Sequence, residues 1–433
     1  MLLRSLPLMS RPHAAVEFSA WALMAIPMGV LSGGVAGVIV HPVFESGTPP
    51  WLLGLAVALV TGAGPVSNMT SAMWAHIARG KPKIRLITRL QVVFSACLLA
   101  AAAVPASPVG LALFVAVLLA AQILWCGIIT TRAHLWRQNY ARNARTAFAA
   151  RNQAIVSLIH AGTGAATGWL VASQPARFRL ILFVGALCAL LSLLRVRGLR
   201  LRHQKRLLAQ ESRGLDTGFS LRNCLSVLTE DRLYRRYMTW MMVLGSGNLM
   251  FMAPLILVMT GPLAMNGSAQ VWITAALPTL VSPFALFYWA RHLAREHVIQ
   301  FRARNSRWYA TAVALFAAGS ISGLVPLLWV GATVLGIGIA GGVLGWNLGH
   351  NDFASDERVA DYVGLHVSLT GVRGLLAPLI GVGLYGMLES FAPGFGAWSL
   401  VVPAALTGLG SLGFQRFGRD FSRHQSESSV PAA

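Results

Sequence analysis

Met73-Trp74-Ala75-His76-Ile77-Ala78-Arg79-Gly80-Lys81-Pro82-Lys83 ends an apolar stretch with a Trp-Ala step, a histidine and a basic run. The same order returns in Tyr288-Trp289-Ala290-Arg291-His292-Leu293-Ala294-Arg295-Glu296-His297. The first segment follows the second long apolar stretch of the chain, and the second follows the eighth. Equal placement in two halves predicts an internal repeat of six apolar stretches, an arrangement found in membrane transporters.

The basic residues extend the pattern over the whole chain. Of 35 Lys and Arg residues, 32 lie in residues 1–15, 75–90, 132–151, 195–236, 291–307, 350–361 and 415–433. The alternate gaps, near His41–Pro50, Pro105–Pro108, Met265–Gln270, Gly323–Pro326 and Ser390–Gly396, contain none. A bias of Lys and Arg to every second loop marks the cytoplasmic face of a multi-pass membrane protein. The net charge of +21 therefore belongs to one membrane face and predicts no nucleic-acid partner.

Composition agrees. Charged residues make up 11% of the chain and apolar residues 55%, whereas a soluble domain carries about 25% charged residues. Each crossing takes roughly 20 apolar residues. The pattern predicts twelve spans, at 16–40, 51–76, 86–106, 109–131, 152–173, 178–196, 237–261, 270–290, 308–323, 327–349, 362–388 and 394–414. Arg4 and Arg11 before an apolar stretch imitate a signal peptide, but the stretch to Val40 is too long for one and reads as the first helix. The four cysteines, Cys97, Cys126, Cys188 and Cys224, have no Cys-x-x-Cys spacing and read as small apolar residues.

The chain divides into an N-terminal six-helix half at 1–196, a basic cytoplasmic linker at 197–236, a C-terminal six-helix half at 237–414 and a cytoplasmic tail at 415–433. In the linker, Leu221, Leu225, Leu228 and Leu233 recur at helical spacing, which predicts an amphipathic helix near anionic lipid headgroups. A solvated, topology-setting linker is the alternative.

Twelve spans, a six-plus-six split, cytoplasmic termini and a repeated basic turn resemble the major facilitator superfamily. That family's signature between its second and third helices runs roughly Gly-x-x-x-Asp-Arg-x-Gly-Arg-Arg. Ala75 to Lys83 keeps the place and the basic end through Arg79, Gly80, Lys81 and Lys83, and lacks the acidic residue. The loop Arg132 to Arg151 is similar to the family's Arg-bearing segment between helices four and five. The resemblance implies an all-α fold of two six-helix bundles. It also implies a central cavity lined by helices one, two, four, five, seven, eight, ten and eleven. Arg79, Lys81, Lys83, Arg291 and Arg295 are then the conformational basic turns.

Polar residues inside spans need a reason, because an Arg at a helix centre costs roughly 2.5–3.5 kcal/mol on insertion scales. His366, Thr370 and Arg373 are spaced four and three apart and share one helix face. Arg373 lies close to the middle of the eleventh span, where a guanidinium can hold a carboxylate or phosphate by a forked pair of hydrogen bonds. His366 can gate such a site by protonation. The competing reading has Arg373 tie helices together through backbone carbonyls. Glu17, at the mouth of the first span, is the one acid placed to serve as a coupling carboxylate; the alternative is an ordinary helix-start residue. Asn68, Gln122, His160, Asn248 and Asn347 complete the candidate lining, each alternatively an interhelical hydrogen bond. Glycines crowd the tenth span at Gly336, Gly338, Gly341, Gly342 and Gly345, for sliding or for close packing. The run Asp352, Asp356, Glu357, Arg358, Asp361 is either a set of partners for the basic turns or a solvated loop.

These residues predict a non-enzymatic secondary active transporter that moves a small neutral or anionic solute by alternating access. Exporters of cationic drugs in that family commonly use a membrane-embedded carboxylate, and this chain offers only Glu17. No nucleotide motif is present, no cofactor or metal is implied, and the partners are a small-molecule solute and membrane lipid, with the protein a monomer. The location predicted is a bacterial cytoplasmic (inner) membrane. The alternatives are a lipid-modifying membrane enzyme, for which His350 and Asp352 are the nearest grouping, and a transport-fold sensor or assembly protein.

Overall fold

A computed structural model describes residues 11–140, 142–213, 221–354 and 358–428. In order, the helices are α1 (Arg11–Val30), α2 (Gly33–Phe44), α3 (Pro50–Ser67), α4 (Ser71–Ala78), α5 (Lys83–Ala103), α6 (Pro108–Asn139), α7 (Arg142–Ser173), α8 (Phe178–Arg197) and α9 (Gln204–Arg213). They continue with α10 (Leu221–Glu230), α11 (Arg232–Met250), α12 (Met252–Thr260), α13 (Gly267–Val271), α14 (Leu277–Leu293), α15 (Val298–Ser322), α16 (Val325–Leu348), α17 (Val359–Phe391) and α18 (Val401–Ser428). Among the described residues, eleven helical segments are long and apolar enough to cross a membrane. The fold is all-α and the protein is an integral multi-pass membrane protein.

Local chemistry sets many helix ends. Ser107 accepts from the Gly110 N–H at 3.1 Å with Pro108 at the first helical position of α6. Asp231 caps α11 through the Tyr234 N–H at 2.8 Å, and Asn266 caps α13 through the Ala269 N–H at 2.8 Å. Gly323, at φ 72°, closes α15 in the left-handed conformation that glycine adopts without strain.

The chain forms two compact units. One comprises residues 1–219 with 266–276, the other residues 220–265 with 277–433. In the first, α5 packs on α6 and α8, α1 on α7 and α8, and α3 on α2 and α6. In the second, α15 packs on α16 and α18, α14 on α16, and α11 on α17 and α18.

Several predicted spans differ in the structure: the seventh breaks at Phe251 between α11 and α12, and the eighth joins α13 to α14 through a π-helical turn at Trp272–Ala276. The first is two helices, α1 and α2, separated at Leu31 and Ser32. The second is α3 and α4 joined by a 3-10 turn at Asn68–Thr70. The ninth, predicted at 308–323, begins ten residues earlier as α15 and carries Arg302, Arg304 and Arg307, which the sequence reading put in a loop. The linker holds α9 and α10; α10 covers the 221–228 part of the predicted amphipathic stretch, Asp231 caps α11, and Leu233 falls on α11.

Candidate functional site

The second unit has a cationic core. Arg373, eleven residues in from Tyr362 on α17, is 6% exposed. Its Nη1 donates to the Met241 carbonyl of α11, and its Nη2 donates to Thr370 Oγ1 at 2.8 Å. The spacing of three on α17 thus brings Thr370 and Arg373 together, as the sequence pattern predicted. The guanidinium lies across Gly245 of α11, where any side chain would run into it. Its Nε is buried without a hydrogen-bond partner. Arg373 thus ties α17 to a backbone carbonyl of α11 and keeps one buried donor without a partner.

His366, one turn before Thr370 on that face, is fully buried, with neither ring nitrogen hydrogen-bonded. Its ring stands edge-on to Trp346 at 4.4 Å and to His350 at 4.7 Å between centroids. His350 is 3% exposed, and its Nδ1 lies 3.4 Å from the Tyr234 hydroxyl. Burial, then the charge of Arg302, push the His350 imidazole down to about 4. Tyr234 itself donates to the Tyr362 carbonyl at 2.9 Å, joining α11 to α17.

Arg302 is the residue that sequence reasoning missed. It is 3% exposed on α15. Its Nε donates to the Tyr237 hydroxyl at 3.4 Å and its Nη2 to the Gly342 carbonyl at 3.5 Å. The signal was available in the helical spacing of Phe301, Asn305, Tyr309, Ala312, Val313 and Phe316, all buried, which continues the apolar face of α15 back past Arg302. The glycines of α16 make room for this face: Gly345 meets Arg302, Gly342 meets Tyr309, and Gly341 meets Asn305 and Trp289. Among the described residues, no carboxylate forms an ion pair with Arg302 or Arg373.

The other candidates in this unit stand apart by their contacts. Asn248 keeps a buried Oδ1 without a partner. Asn347 is exposed and donates to the Val343 carbonyl of its own helix at 2.9 Å. Of the acidic run, Asp352 accepts the Val298 N–H at 2.7 Å and Arg358 pairs with Glu230 at 2.8 Å. Asp356 and Glu357 lie outside the described residues.

In the first unit, Glu17 is not a helix-start residue. It sits two turns into α1, fully buried. It accepts hydrogen bonds from Trp21 Nε1 at 3.1 Å, Trp136 Nε1 at 2.6 Å and the Tyr140 hydroxyl at 2.9 Å. The Arg132 guanidinium stacks over Trp21 and Trp136, at 4.6 and 4.4 Å from their centroids. Gln122 donates to the Leu31 carbonyl at 2.9 Å, where the helix is interrupted between α1 and α2. His160 keeps a buried Nε2 without a partner. Asn68 is half-buried at the 3-10 turn between α3 and α4.

The basic turn after α4 has an acid after all. Lys83 is fully buried; its Nζ donates to the Ala78 carbonyl and to Glu211 Oε2, the latter at 2.6 Å. The same Glu211 oxygen accepts the Gly80 N–H at 2.8 Å. Glu211 comes from α9 in the linker, 128 residues along the chain from Lys83. Lys81, Arg291 and Arg295 are exposed, and Arg79 is half-buried.

No protein-family model matches the chain, and no curated protein matches its sequence. Solved structures do. A mutant of the nucleoside transporter NupG aligns over 93% of this chain and 99% of its own, at 14% identity and a TM-score of 0.69. The human organic anion transporter MFSD10 aligns over 94% of this chain and 100% of its own, at 14% identity and TM-score 0.64. The proton:xylose symporter XylE from E. coli, of the major facilitator superfamily, aligns over 94% of this chain and 96% of its own, at 12% identity and TM-score 0.62.

Proposed function

The chain has the fold of the major facilitator superfamily, and we propose that it is a secondary transporter that moves a small neutral or anionic solute across a bacterial inner membrane by alternating access. Arg373 is the solute-binding residue, with Thr370 and His366 beside it. The observation that carries this reading is a core of the C-terminal half with no buried acid among the described residues. Two arginines, 3% and 6% exposed, bond only to carbonyl and hydroxyl oxygens. A buried cation without a counter-charge costs several kcal/mol, so it persists where function uses it.

The free Nε of Arg373 and its Nη2 form one edge of the guanidinium. An oxyanion on the solute takes both donors as a forked pair and displaces the Thr370 hydroxyl. Such charge-assisted bonds are short and roughly twice as strong as neutral ones. A polyhydroxylated neutral solute uses the same edge less tightly. A cation meets only repulsion there. Solutes of the structural neighbours, a pentose, nucleosides and organic anions, fall within this range.

Reconstitution into proteoliposomes tests the reading. A thermal-shift screen selects candidate solutes by charge class, and uptake of labelled hits follows under an imposed ion gradient. Saturable uptake of an anionic or neutral solute is expected. Saturable uptake of cations alone contradicts the proposal.

A further inference from the structure

The outer face of α15 carries a second set of charges that the transport reading does not use. Arg304, Arg307, Trp308 and Thr311 are spaced three, four and seven residues from the first, which places them on one face. This face is opposite to the one that buries Arg302, Asn305 and Tyr309. With Tyr288 and Trp289 of α14 and Val334 of α16 it lines an open cavity of about 400 Å³. We propose that this groove binds the headgroup of an anionic phospholipid, the phosphate against Arg304 and Arg307 and the acyl chains along α14.

Four observations support that occupant. First, the charge: Arg307 forms no ion pair or hydrogen bond among the described residues, and Arg304 has one partner, Glu296, at 3.2 Å. The groove lining itself contains no acid. Second, the depth: Arg304 and Arg307 lie six and nine residues into α15, about 9 and 14 Å from its start. About 22 Å of helix then remains from Arg307 to Ser322, less than the roughly 30 Å of a hydrocarbon core. Measured from Ser322, Arg304 therefore sits about 3 Å and Arg307 about 8 Å inside the hydrocarbon edge on the basic side, from where their long side chains snorkel to a phosphate. Third, the aromatics: Trp308 is 36% and Tyr288 51% exposed, and Trp and Tyr favour that boundary. Trp289 is fixed as the buried floor by its bond to the Ile337 carbonyl at 2.8 Å. Fourth, Phe284 and Phe287, 75% and 69% exposed on α14, continue the groove as an apolar surface suited to acyl chains.

A phosphate group from solution has the same chemistry, and the experiment separates the two sources. The full chain is purified in a neutral detergent, depleted of lipid and titrated with phosphatidylglycerol, phosphatidylcholine, or inorganic phosphate, with retained lipid counted by native mass spectrometry. Phosphatidylglycerol is expected to bind, and phosphatidylcholine and phosphate are not. Each basic residue near an anionic membrane surface contributes about fivefold in affinity. Arg307→Ala should therefore weaken phosphatidylglycerol about fivefold, and Arg304→Ala with Arg307→Ala about 25-fold. Brominated phosphatidylglycerol should quench a component of the tryptophan emission that disappears in Trp308→Phe, a readout that needs no arginine variant. Binding unchanged in the double variant, equal binding of phosphatidylcholine, tight binding of phosphate alone, or quenching independent of Trp308 would each overturn the proposal.

Discussion

Replacing Glu211 with Gln breaks the tie between the linker helix α9 and the basic turn while preserving the side chain's size. Lys83 is left fully buried with its charge unanswered. Removing one partner of a buried pair costs about 3–5 kcal/mol. Glu211 is 14% exposed and Lys83 keeps the Ala78 carbonyl, so the expected loss is about 2–3 kcal/mol. Thermal midpoints shift by about 2–4 °C per kcal/mol for a unit of this size, which gives a fall of roughly 4–12 °C. The pairwise part is isolated by a double-mutant cycle with Lys83→Met, because the double variant has no orphaned charge. The double variant should be less destabilised than the two single changes added together, by about 1.5–2 kcal/mol. Cleavage by trypsin at Lys205 or Arg206 on α9 should also accelerate in Glu211→Gln. A coupling below about 0.5 kcal/mol, with unchanged cleavage, would refute the tie.

Other outcomes follow from the buried polar groups. Glu17→Ala strands the Trp21, Trp136 and Tyr140 donors, at about 1–3 kcal/mol for an orphaned group, whereas Glu17→Gln keeps one acceptor oxygen for the two indoles and should cost less; thermal denaturation ranks the two. His350 stays neutral in the folded protein down to about pH 4. The unfolded chain takes up a proton near pH 6.5, so stability from this group is complete above that value and falls as pH drops from 6.5 to 4. At pH 5 the loss is about 2 kcal/mol, and His350→Gln should flatten the midpoint-versus-pH curve over that window. A curve as steep as that of the unchanged protein would assign the pH dependence to other groups.

What the sequence carried and what it hid have physical causes. Eleven crossings follow from apolar length and from basic gaps, which are local properties. The ninth span was cut short because hydropathy counts Arg302, Arg304 and Arg307 as loop residues. The helix instead turns Arg302 inward under Gly345 and directs Arg304 and Arg307 outward. Thr370 and Arg373 were legible as a pair because three residues make one helical step. The acid answering Lys83 was not legible: Glu211 lies 128 residues away, and only the fold brings α9 to the turn. Nor did Glu17 announce its aromatic partners, since Trp136 and Tyr140 come from α6 and its C-terminal end, more than a hundred residues later.

The central claim is that the Arg373 guanidinium binds the solute, and transport by Arg373 variants tests it most directly. Arg373→Ala, confirmed as folded by its chromatographic profile and thermal midpoint, should show no uptake above empty liposomes. Arg373→Lys should keep part of it, since the charge remains and the forked donor edge is lost. Uptake at the unchanged protein's rate by well-folded Arg373→Ala would contradict the account and leave Arg373 as a tie between α17 and α11.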